Sequence, residues 1–399
     1  MNSKRYLKNT IAAALLQIIT IVSGLVIPII ILQTYGSTLN GLMNSIKQFI
    51  NYLTLVEAGL STVSIAALYK PLSNNDIDEI NGVVSASRIF YNKTGIIFSS
   101  LVLLTSMIYP YFINSQVDNI YTMCMVLIIG LSGTMEYFII GKYRVLLTAD
   151  QRGYVITNAQ TFGLIMNTLA TIILVKMNYG LIAVQFISGI IYLMRAILIK
   201  IYVDRNYKNI NFKALPNNKS LSQRWDALVH QIAAMVVFNT DILLLTIFST
   251  LPEVSVYTIY RIIFTAISSL ISIFTTGIGP ALGNMLNDGS EKFKKVYMIF
   301  ENIHYMLLAF VYSATFILYI PFLKIYTSGV TDENYIRPIV MILFLVAEVM
   351  NQIRIPANTL VNVKGLFKDT KNRAILEAAI NLIVSFMLVR KFGIIGVLI

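Results

Sequence analysis

The sequence predicts an all-α polytopic membrane protein with about twelve transmembrane helices in two six-helix lobes. The 399 residues are 56% hydrophobic and only 13% charged, whereas soluble chains carry roughly 25% charged residues. Apolar runs of about twenty residues recur, which is the length that a helix needs to cross a bilayer core of roughly 30 Å. The longest polar run, 204–225, is basic and rich in Asn, and about six apolar spans lie on each side of it.

The candidate spans follow one another with short connections. Before the polar run they cover 10–33, 40–69, 93–113, 120–143, 154–175 and 180–203; after it they cover 226–249, 255–283, 297–321, 338–362 and 374–390, and a last one begins at Gly393. Between the second and third spans, the segment Pro71–Ser87 predicts a short surface helix, capped by its Asn and Asp residues. We therefore expect an N-terminal lobe at 1–203, a cytoplasmic basic linker at 204–225 and a C-terminal lobe at 226–399.

A short internal repeat supports a duplication of the two halves. Seven residues beyond Asn167 begins LVKMNYGLIAV, which ends at Val184, and seven residues beyond Asn381 begins LVRKFGIIGV, which ends at Val397. Because each half has an even number of spans, we expect an axis along the membrane normal to relate them. Val184 is followed by about twenty further residues of its span, but only two residues follow Val397. We therefore expect the last helix to be incomplete in this chain.

The Lys and Arg residues indicate the orientation, because basic loops stay in the cytoplasm. With the N-terminus inside, about 22 of the 31 lie in cytoplasmic loops and flanks and about five lie outside. The net charge of +12 suits anionic membrane lipids as partners, and nucleic acid is a poor interpretation. The single cysteine, Cys124, excludes a disulfide framework and a cysteine-based metal site.

Ionisable residues inside the apolar spans each need a reason, because insertion costs about 2.5–3.5 kcal/mol for such a group. For Glu136 we expect a pairing with Lys142 or with a neighbour of Tyr143 near the cytoplasmic face. For Arg195 and Arg261, snorkelling to a membrane face and a cavity role stay open as alternatives. The four deeper charges are expected to face a cavity, and they are Glu57, Asp241, Glu348 and Arg354.

Alignment of the two halves places Lys47 and Arg261 at matching depth, one in each lobe. Two such cations would flank a central cavity. The polar patch Asn239–Asp241 predicts a site for a coupling proton or Na⁺, with a helix-to-helix hydrogen bond of Asp241 as the alternative. The sequence contains no phosphate-binding loop, no H-E-x-x-H and no G-x-S-x-G, so we expect neither an enzyme nor a cofactor.

Two stretches resemble a known family. The stretch 41–91, which begins GLMNSIKQFINYLTLVEAGLS, resembles the second span and following loop of Wzx-like polysaccharide transporters of the O-antigen flippase type. The stretch from Asn239 that reads NTDILLLTIFSTLPEVSVYTIYRIIF, with GIGPALGNML later, resembles their seventh and eighth spans. Such transporters belong to the multidrug/oligosaccharidyl-lipid/polysaccharide (MOP) exporter superfamily, together with multidrug and toxin extrusion (MATE) transporters and the lipid II flippase. The resemblance implies two six-helix lobes in a V shape, open to one side at a time.

The resemblance also implies a function in the bacterial cell (inner) membrane. It implies a flippase that moves an undecaprenyl-diphosphate-linked oligosaccharide, the repeat unit of O-antigen lipopolysaccharide or capsule, to the outer leaflet by ion-coupled alternating access. Polysaccharide polymerase machinery is a further implied partner. The cations that match the implied cavity are Lys47, Arg195, Arg261 and Arg354, and the coupling-ion candidates are Asp241, Glu57 and Glu348. The alternative is a MATE-like cation-coupled exporter of small molecules, which the acids within the spans favour.

Overall fold

The computed structural model describes residues 3–57, 60–113, 116–217, 235, 239–275, 278–285, 290–364 and 367–399. Within these ranges the secondary structure is helical and contains no strand, so the predicted all-α class is confirmed. The chain divides into two units, Met1–Asn239 and Thr240–Ile399. Residues 218–225 of the predicted linker lie outside the described residues, and the predicted lobe boundaries stay a prediction.

Eight helices in the described ranges are long and apolar enough to cross a membrane. They cover Leu7–Glu57, Ile77–Ile113, Asn119–Ala149, Gly153–Lys176, Leu181–Asn206, Leu251–Ser272, Glu291–Tyr326 and Pro338–Lys364. The protein is therefore a multi-pass membrane protein, as predicted. The count of twelve spans stays a prediction.

The first unit contains seven α-helices in its described part. They are α1 (Ser3–Leu53), α2 (Leu60–Asn74), α3 (Ile77–Ile108), α4 (Asn119–Met135), α5 (Gly141–Ala149), α6 (Gly153–Lys176) and α7 (Leu181–Asn206). A 3₁₀ turn, Thr54–Glu57, follows α1, a second one, Tyr109–Ile113, follows α3, and a π-helical turn, Glu136–Ile140, joins α4 to α5. Helix α1 packs against α4 and α6, and α7 packs against the same two helices.

Helix α1 contains a break that allows it to supply two of the predicted spans. A straight helix of its 51 residues would be about 76 Å long, more than twice the bilayer core. At Gly36 the backbone leaves the helical region, with φ 79° and ψ 175°. A residue without Cβ adopts this conformation at no steric cost. The kink at Gly36 thus separates residues 3–35 from residues 37–53.

The second predicted span, 40–69, is wrong as a continuous helix. It is interrupted by the 3₁₀ turn Thr54–Glu57. Thr54 Oγ1 donates to the carbonyl oxygen of Asn51 at 2.6 Å, a local bond that competes with regular helix pairing. Glu57 accepts a hydrogen bond from Tyr91 Oη at 2.8 Å. Broken helices inside a membrane are tolerated where the irregular backbone lines a cavity.

The predicted separate surface helix at Pro71–Ser87 is also wrong. This segment ends α2 and begins α3, whose first turn is capped by Asp76 through a 3.0 Å bond from the Glu79 amide. Residues 82–87 of α3 are buried, and residues 214–217 of the polar run lie against them. The Asn217 amide donates to the Gly82 carbonyl at 3.0 Å, and Ser85 Oγ donates to the Ala214 carbonyl at 2.6 Å.

Asp150, in the turn between α5 and α6, fastens three parts of the first unit together. Its carboxylate lies 2.8 Å from Arg5 Nη1 and 2.9 Å from Arg152 Nε. It also accepts a 2.6 Å hydrogen bond from Tyr207 Oη, just beyond α7. Burial and this hydrogen bond raise the pKa of the Tyr207 hydroxyl well above its ordinary value. The ends of α1, α5 and α7 are therefore held at one carboxylate.

The second unit contains eight helices in its described part. They are α8 (Asn239–Phe248), α9 (Leu251–Thr275), α10 (Ile278–Met285), α11 (Ser290–Tyr326), α12 (Pro338–Ile353), α13 (Ile355–Lys364), α14 (Phe367–Phe392) and α15 (Ile394–Leu398). Helix α9 packs against α11 and α12. Stacked rings of Phe264, Tyr319 and Phe344 fill this contact, with centroids 4.9 Å and 5.6 Å apart.

The interruption between α12 and α13 has a local cause. Pro356 lacks the amide hydrogen that would bond the carbonyl of residue 352 in a regular helix. His304, buried on α11, instead places its Nε2 2.9 Å from the backbone carbonyl oxygen of Gln352. A neighbouring helix therefore satisfies the carbonyl that proline leaves free, as is usual for membrane helices.

The internal repeat appears as two similar helix pairs. Gly180 precedes α7 after the end of α6, and Gly393 precedes α15 after the end of α14. In both units a long helix thus ends, a glycine follows, and a new helix begins. The two glycines differ in conformation, with φ −66° at Gly180 and φ 54° at Gly393, and the duplication of the two halves stays a prediction.

Glycines let α3 approach α4 and α5 closely. A Cβ on Gly133 would lie 2.6 Å from Phe98 Cζ, and a Cβ on Gly141 would lie 2.4 Å from Tyr91 Cδ1. Both ring side chains are buried. The hydrophobic driving force between helices is missing inside a membrane. Small residues at helix contacts let the helices approach closely, and the resulting van der Waals packing holds them together.

Gly141→Ala is expected to destabilise the first unit by about 1–3 kcal/mol, because the new methyl group overlaps the buried Tyr91 ring. The measurement is the melting temperature of the detergent-purified protein. Gly24→Ala on α1 is the matched control, because nothing lies within 4 Å of its added Cβ. Equal melting temperatures for the two variants would contradict the close packing.

Candidate functional site

A cavity of about 820 Å³ lies inside the first unit, within the usual size range of ligand pockets. Its wall comes from α1, the 3₁₀ turn after α1, and helices α3 to α7. The charged residues of the wall are Lys47, Glu57, Glu136, Arg144 and Arg195. The structure therefore brings together three predicted site residues, Lys47, Glu57 and Arg195, and adds two charges to them.

Glu136 is the centre of the charged cluster. One carboxylate oxygen pairs with Arg144 Nη2, and the other accepts a hydrogen bond from Tyr192 Oη. Arg195 Nη2 lies 3.8 Å from that second oxygen, and its guanidinium stacks on the Tyr192 ring at 4.1 Å. The side chain of Glu136 is 13% exposed and that of Arg195 is 17% exposed. Two arginines and one tyrosine thus hold a nearly buried carboxylate.

The π-helical turn explains why Glu136 reaches Arg144. Eight positions along a regular helix rotate a side chain by about 80° from the starting face, at about 100° per residue. A π-helical turn absorbs one extra residue, which reduces this offset to about 20°. Of the two predicted partners of Glu136, Lys142 and a neighbour of Tyr143, the structure has the second, since the extra residue turns Arg144 to the carboxylate.

Lys47 carries the remaining positive charge of the cavity wall. Its side chain is exposed to the cavity, and within the described part of the chain it makes no hydrogen bond or ion pair. Glu57 is held by Tyr91, as described above, and lies within electrostatic range of Arg144. With three cations and two acids, the wall has one surplus positive charge.

Beside apolar side chains, the wall also offers neutral hydrogen-bonding groups. These are Thr20, Asn51, Thr54, Ser132, Gln160, Asn167, Thr171, Gln185 and Ser188. Asn167 Oδ1 is buried and has no hydrogen-bond partner among the described residues. Such a wall suits a ligand that combines negative charge with several hydroxyl groups.

The second unit has a charged cluster of its own. Tyr257 Oη donates to Asp241 Oδ2 at 2.5 Å, and Ser268 Oγ donates to Glu348 Oε2 at 3.0 Å. Arg261 lies within electrostatic range of both carboxylates. The structure therefore brings Asp241, Arg261 and Glu348 together. A lumen shared by Lys47 and Arg261, which belong to different units, stays a prediction.

Arg354 has a partner that the sequence analysis missed. It ends α12 and forms two hydrogen bonds with the Glu377 carboxylate of α14, at 2.5 Å and 2.8 Å. The side chains are 49% and 42% exposed. The role of Arg354 as a substrate-binding cation stays a prediction.

Comparisons with solved structures identify the fold. An inward-facing MATE family multidrug resistance transporter of the MOP superfamily superposes with a TM-score of 0.69 at 13% identity, over 96% of this chain and 90% of that one. The chain has a MATE-like transporter fold. The lipid II flippase MurJ in an inward closed conformation superposes with a TM-score of 0.70 at 15% identity, over 98% of this chain and 83% of that one. The MATE transporter VcmN of Vibrio cholerae in its bent form superposes with a TM-score of 0.59 at 13% identity, over 96% of this chain and 90% of that one.

These similarities confirm the predicted fold class. A comparison with family models finds no match, and a comparison with curated proteins finds none either. One of these neighbours is described as a MATE family transporter of the MOP superfamily and another as a lipid II flippase. The narrower resemblance to the O-antigen flippase type stays a prediction.

Lys47→Cys, in a Cys124→Ala background, is expected to react with a water-soluble anionic methanethiosulfonate, because its side chain is exposed to a polar cavity. Ile46→Cys is the matched control on the same helix, since Ile46 is fully buried. The readout is loss of later labelling with a maleimide, measured by mass spectrometry. Equal reactivity at the two positions would argue against the cavity wall described above.

Proposed function

We propose that this protein is a flippase of lipid-linked oligosaccharides. It moves an undecaprenyl-diphosphate-linked repeat unit of O-antigen or capsule from the cytoplasmic to the outer leaflet of the bacterial inner membrane. The protein carries out translocation and no bond-breaking chemistry. The N-terminus is cytoplasmic in this proposal, and the polymerase machinery for surface polysaccharide receives the product.

The observation that carries the proposal is the surplus positive charge of the cavity in the first unit. Lys47 projects into it without a carboxylate partner within the described ranges. An ammonium group at the depth of the membrane is costly unless water or an anion compensates it. A diphosphate that enters the cavity would provide that anion. Lysine and arginine are the side chains that bind phosphate oxygens, arginine through two parallel hydrogen bonds.

The neutral part of the wall supports a sugar-bearing head group. Its amides and hydroxyls, among them Gln160 and Ser188, match the alternating donors and acceptors of a sugar. The lipid chain needs no polar site, since it stays in the bilayer while the head group crosses. Similarity to a protein described as a lipid II flippase supports the same class of substrate.

A second candidate function is the export of small cationic molecules in exchange for ions. The two carboxylates of the wall, Glu57 and Glu136, favour it, as does the similarity to MATE transporters. Both acids already have partners, however, since Glu57 accepts from Tyr91 and Glu136 pairs with arginines. A cationic substrate would have to compete with those partners, whereas an anionic one meets Lys47 directly.

Loss of two of the three cavity cations, by Lys47→Ala with Arg195→Ala, is expected to abolish surface polysaccharide in a flippase-deficient bacterial strain. The diphosphate would then lose two of its positive partners in the wall. The measurement is the amount of surface polysaccharide, scored beside the membrane level of each variant.

Arg354→Ala is the contrasting variant, because Glu377 already satisfies that guanidinium. Arg261 and Arg354 remain proposed substrate cations, so we expect Arg354→Ala to lose only part of the surface polysaccharide.

Normal export by the Lys47/Arg195 double variant would rule out the flippase proposal for this cavity. Resistance to cationic drugs, lost in Glu57→Gln and kept in Lys47→Ala, would favour the exporter instead.

Asp241→Asn is expected to abolish transport while leaving membrane insertion normal, because we propose Asp241, with Glu348 and Glu57, as a carrier of the coupling proton or Na⁺. The measurement is polysaccharide export under imposed ion gradients. Thr246→Val, on the same helix, is a control that removes no charge. Wild-type export that survives collapse of both gradients would contradict ion coupling.

A further inference from the structure

Glu136 has a position that its neighbours explain only in part. The two arginines of the cavity wall, which could bind an anion, are both directed to this one carboxylate. The π-helical turn that aligns Glu136 with Arg144 is a departure from regular helix, and such turns frequently lie at functional sites. A carboxylate with two guanidinium partners resembles a bound phosphate in charge and in hydrogen-bonding pattern.

We propose that Glu136 is the resident counter-anion of the cavity, which neutralises Arg144 and Arg195 until an entering phosphate group displaces it. This inference rests on the proposed function in that it names how the same site regulates its own affinity. The chemical class of the displacing ligand is a phosphate or diphosphate ester.

The charges of the wall support a sequence of contacts. Lys47 is the wall cation without a carboxylate partner in the described part of the chain, so it meets the incoming phosphate first. Arg195 is held by Glu136 at 3.8 Å, a looser contact than a direct hydrogen bond. Arg195 therefore exchanges Glu136 for the ligand with little loss of interaction energy. Arg144 pairs more closely with Glu136 and changes partner last.

Counter-charge also matters when the cavity is empty. Without Glu136, the wall would have three cations and only Glu57 to oppose them. Such a charge is costly in a site that water leaves during a conformational change. Glu136 would thus lower ligand affinity and allow the unloaded transporter to return. The Tyr192 hydroxyl, which donates to Glu136, holds the carboxylate ready for that return.

The test compares anion binding with export for Glu136→Gln, which keeps the side-chain volume and removes the charge. Binding of inorganic pyrophosphate and of geranyl diphosphate to the full chain in nanodiscs is measured by titration calorimetry. The variant is expected to bind both probes about tenfold more tightly, because no carboxylate competes for the arginines. Export of polysaccharide is expected to fall in the same variant.

Controls separate this effect from a general loss of negative charge. Glu301→Gln removes an acid from the exposed side of α11 and is expected to bind the probes like the wild type. In Glu136→Gln/Arg195→Gln, the gain is expected to disappear. If Glu136→Gln does not reach the membrane, Glu136→Asp replaces it, and its shorter reach is expected to tighten binding about threefold.

Unchanged or weaker probe binding by a folded Glu136 variant would overturn the inference, since a merely structural carboxylate predicts that result. The outcome is distinct from failure of the flippase proposal. Tighter pyrophosphate binding by Glu136→Gln without any polysaccharide export by the wild type would keep the inference and reject the substrate. Wild-type export without tighter binding by the variant would do the reverse.

Discussion

The contact of the Glu136 carboxylate with Arg144, Arg195 and Tyr192 is the interaction on which the cavity of the first unit depends. It joins the helix formed by α4 and α5 to α7. Removing Glu136 would leave the charge of Arg195, whose side chain is 17% exposed, without its carboxylate partner, and an uncompensated charge is costly where water is scarce. The cluster therefore determines both the shape of the wall and its net charge.

Insertion energetics made much of this site predictable. Lys47, Glu57 and Arg195 were identified from the sequence because a charge within an apolar span is costly and needs a polar surrounding. All three lie on the cavity wall. The multi-pass helical fold followed from the same apolar runs, whose length is set by the thickness of the bilayer.

Other features had no signal in the sequence. The contact of Arg144 with Glu136 depends on the π-helical turn, which leaves no pattern of apolar residues in the sequence. The partner of Arg354 lies 23 residues away on another helix, a pairing that only tertiary packing determines. At the break Thr54–Glu57, the side chain of Thr54 donates to the Asn51 carbonyl and the side chain of Glu57 accepts from Tyr91. Hydropathy does not record such bonds.

The π-helical turn at Glu136–Ile140 also determines how related sequences are expected to align with this one. Relative to a regular helix of the same length, the segment Asn119–Ala149 contains one additional residue. The residues after the turn are rotated relative to their positions in a regular helix. Deleting one residue from the turn would restore the regular register, so that Arg144 would leave the cavity without being mutated. Homologues that lack the glutamate–arginine pair are therefore expected to align with a one-residue gap at this turn.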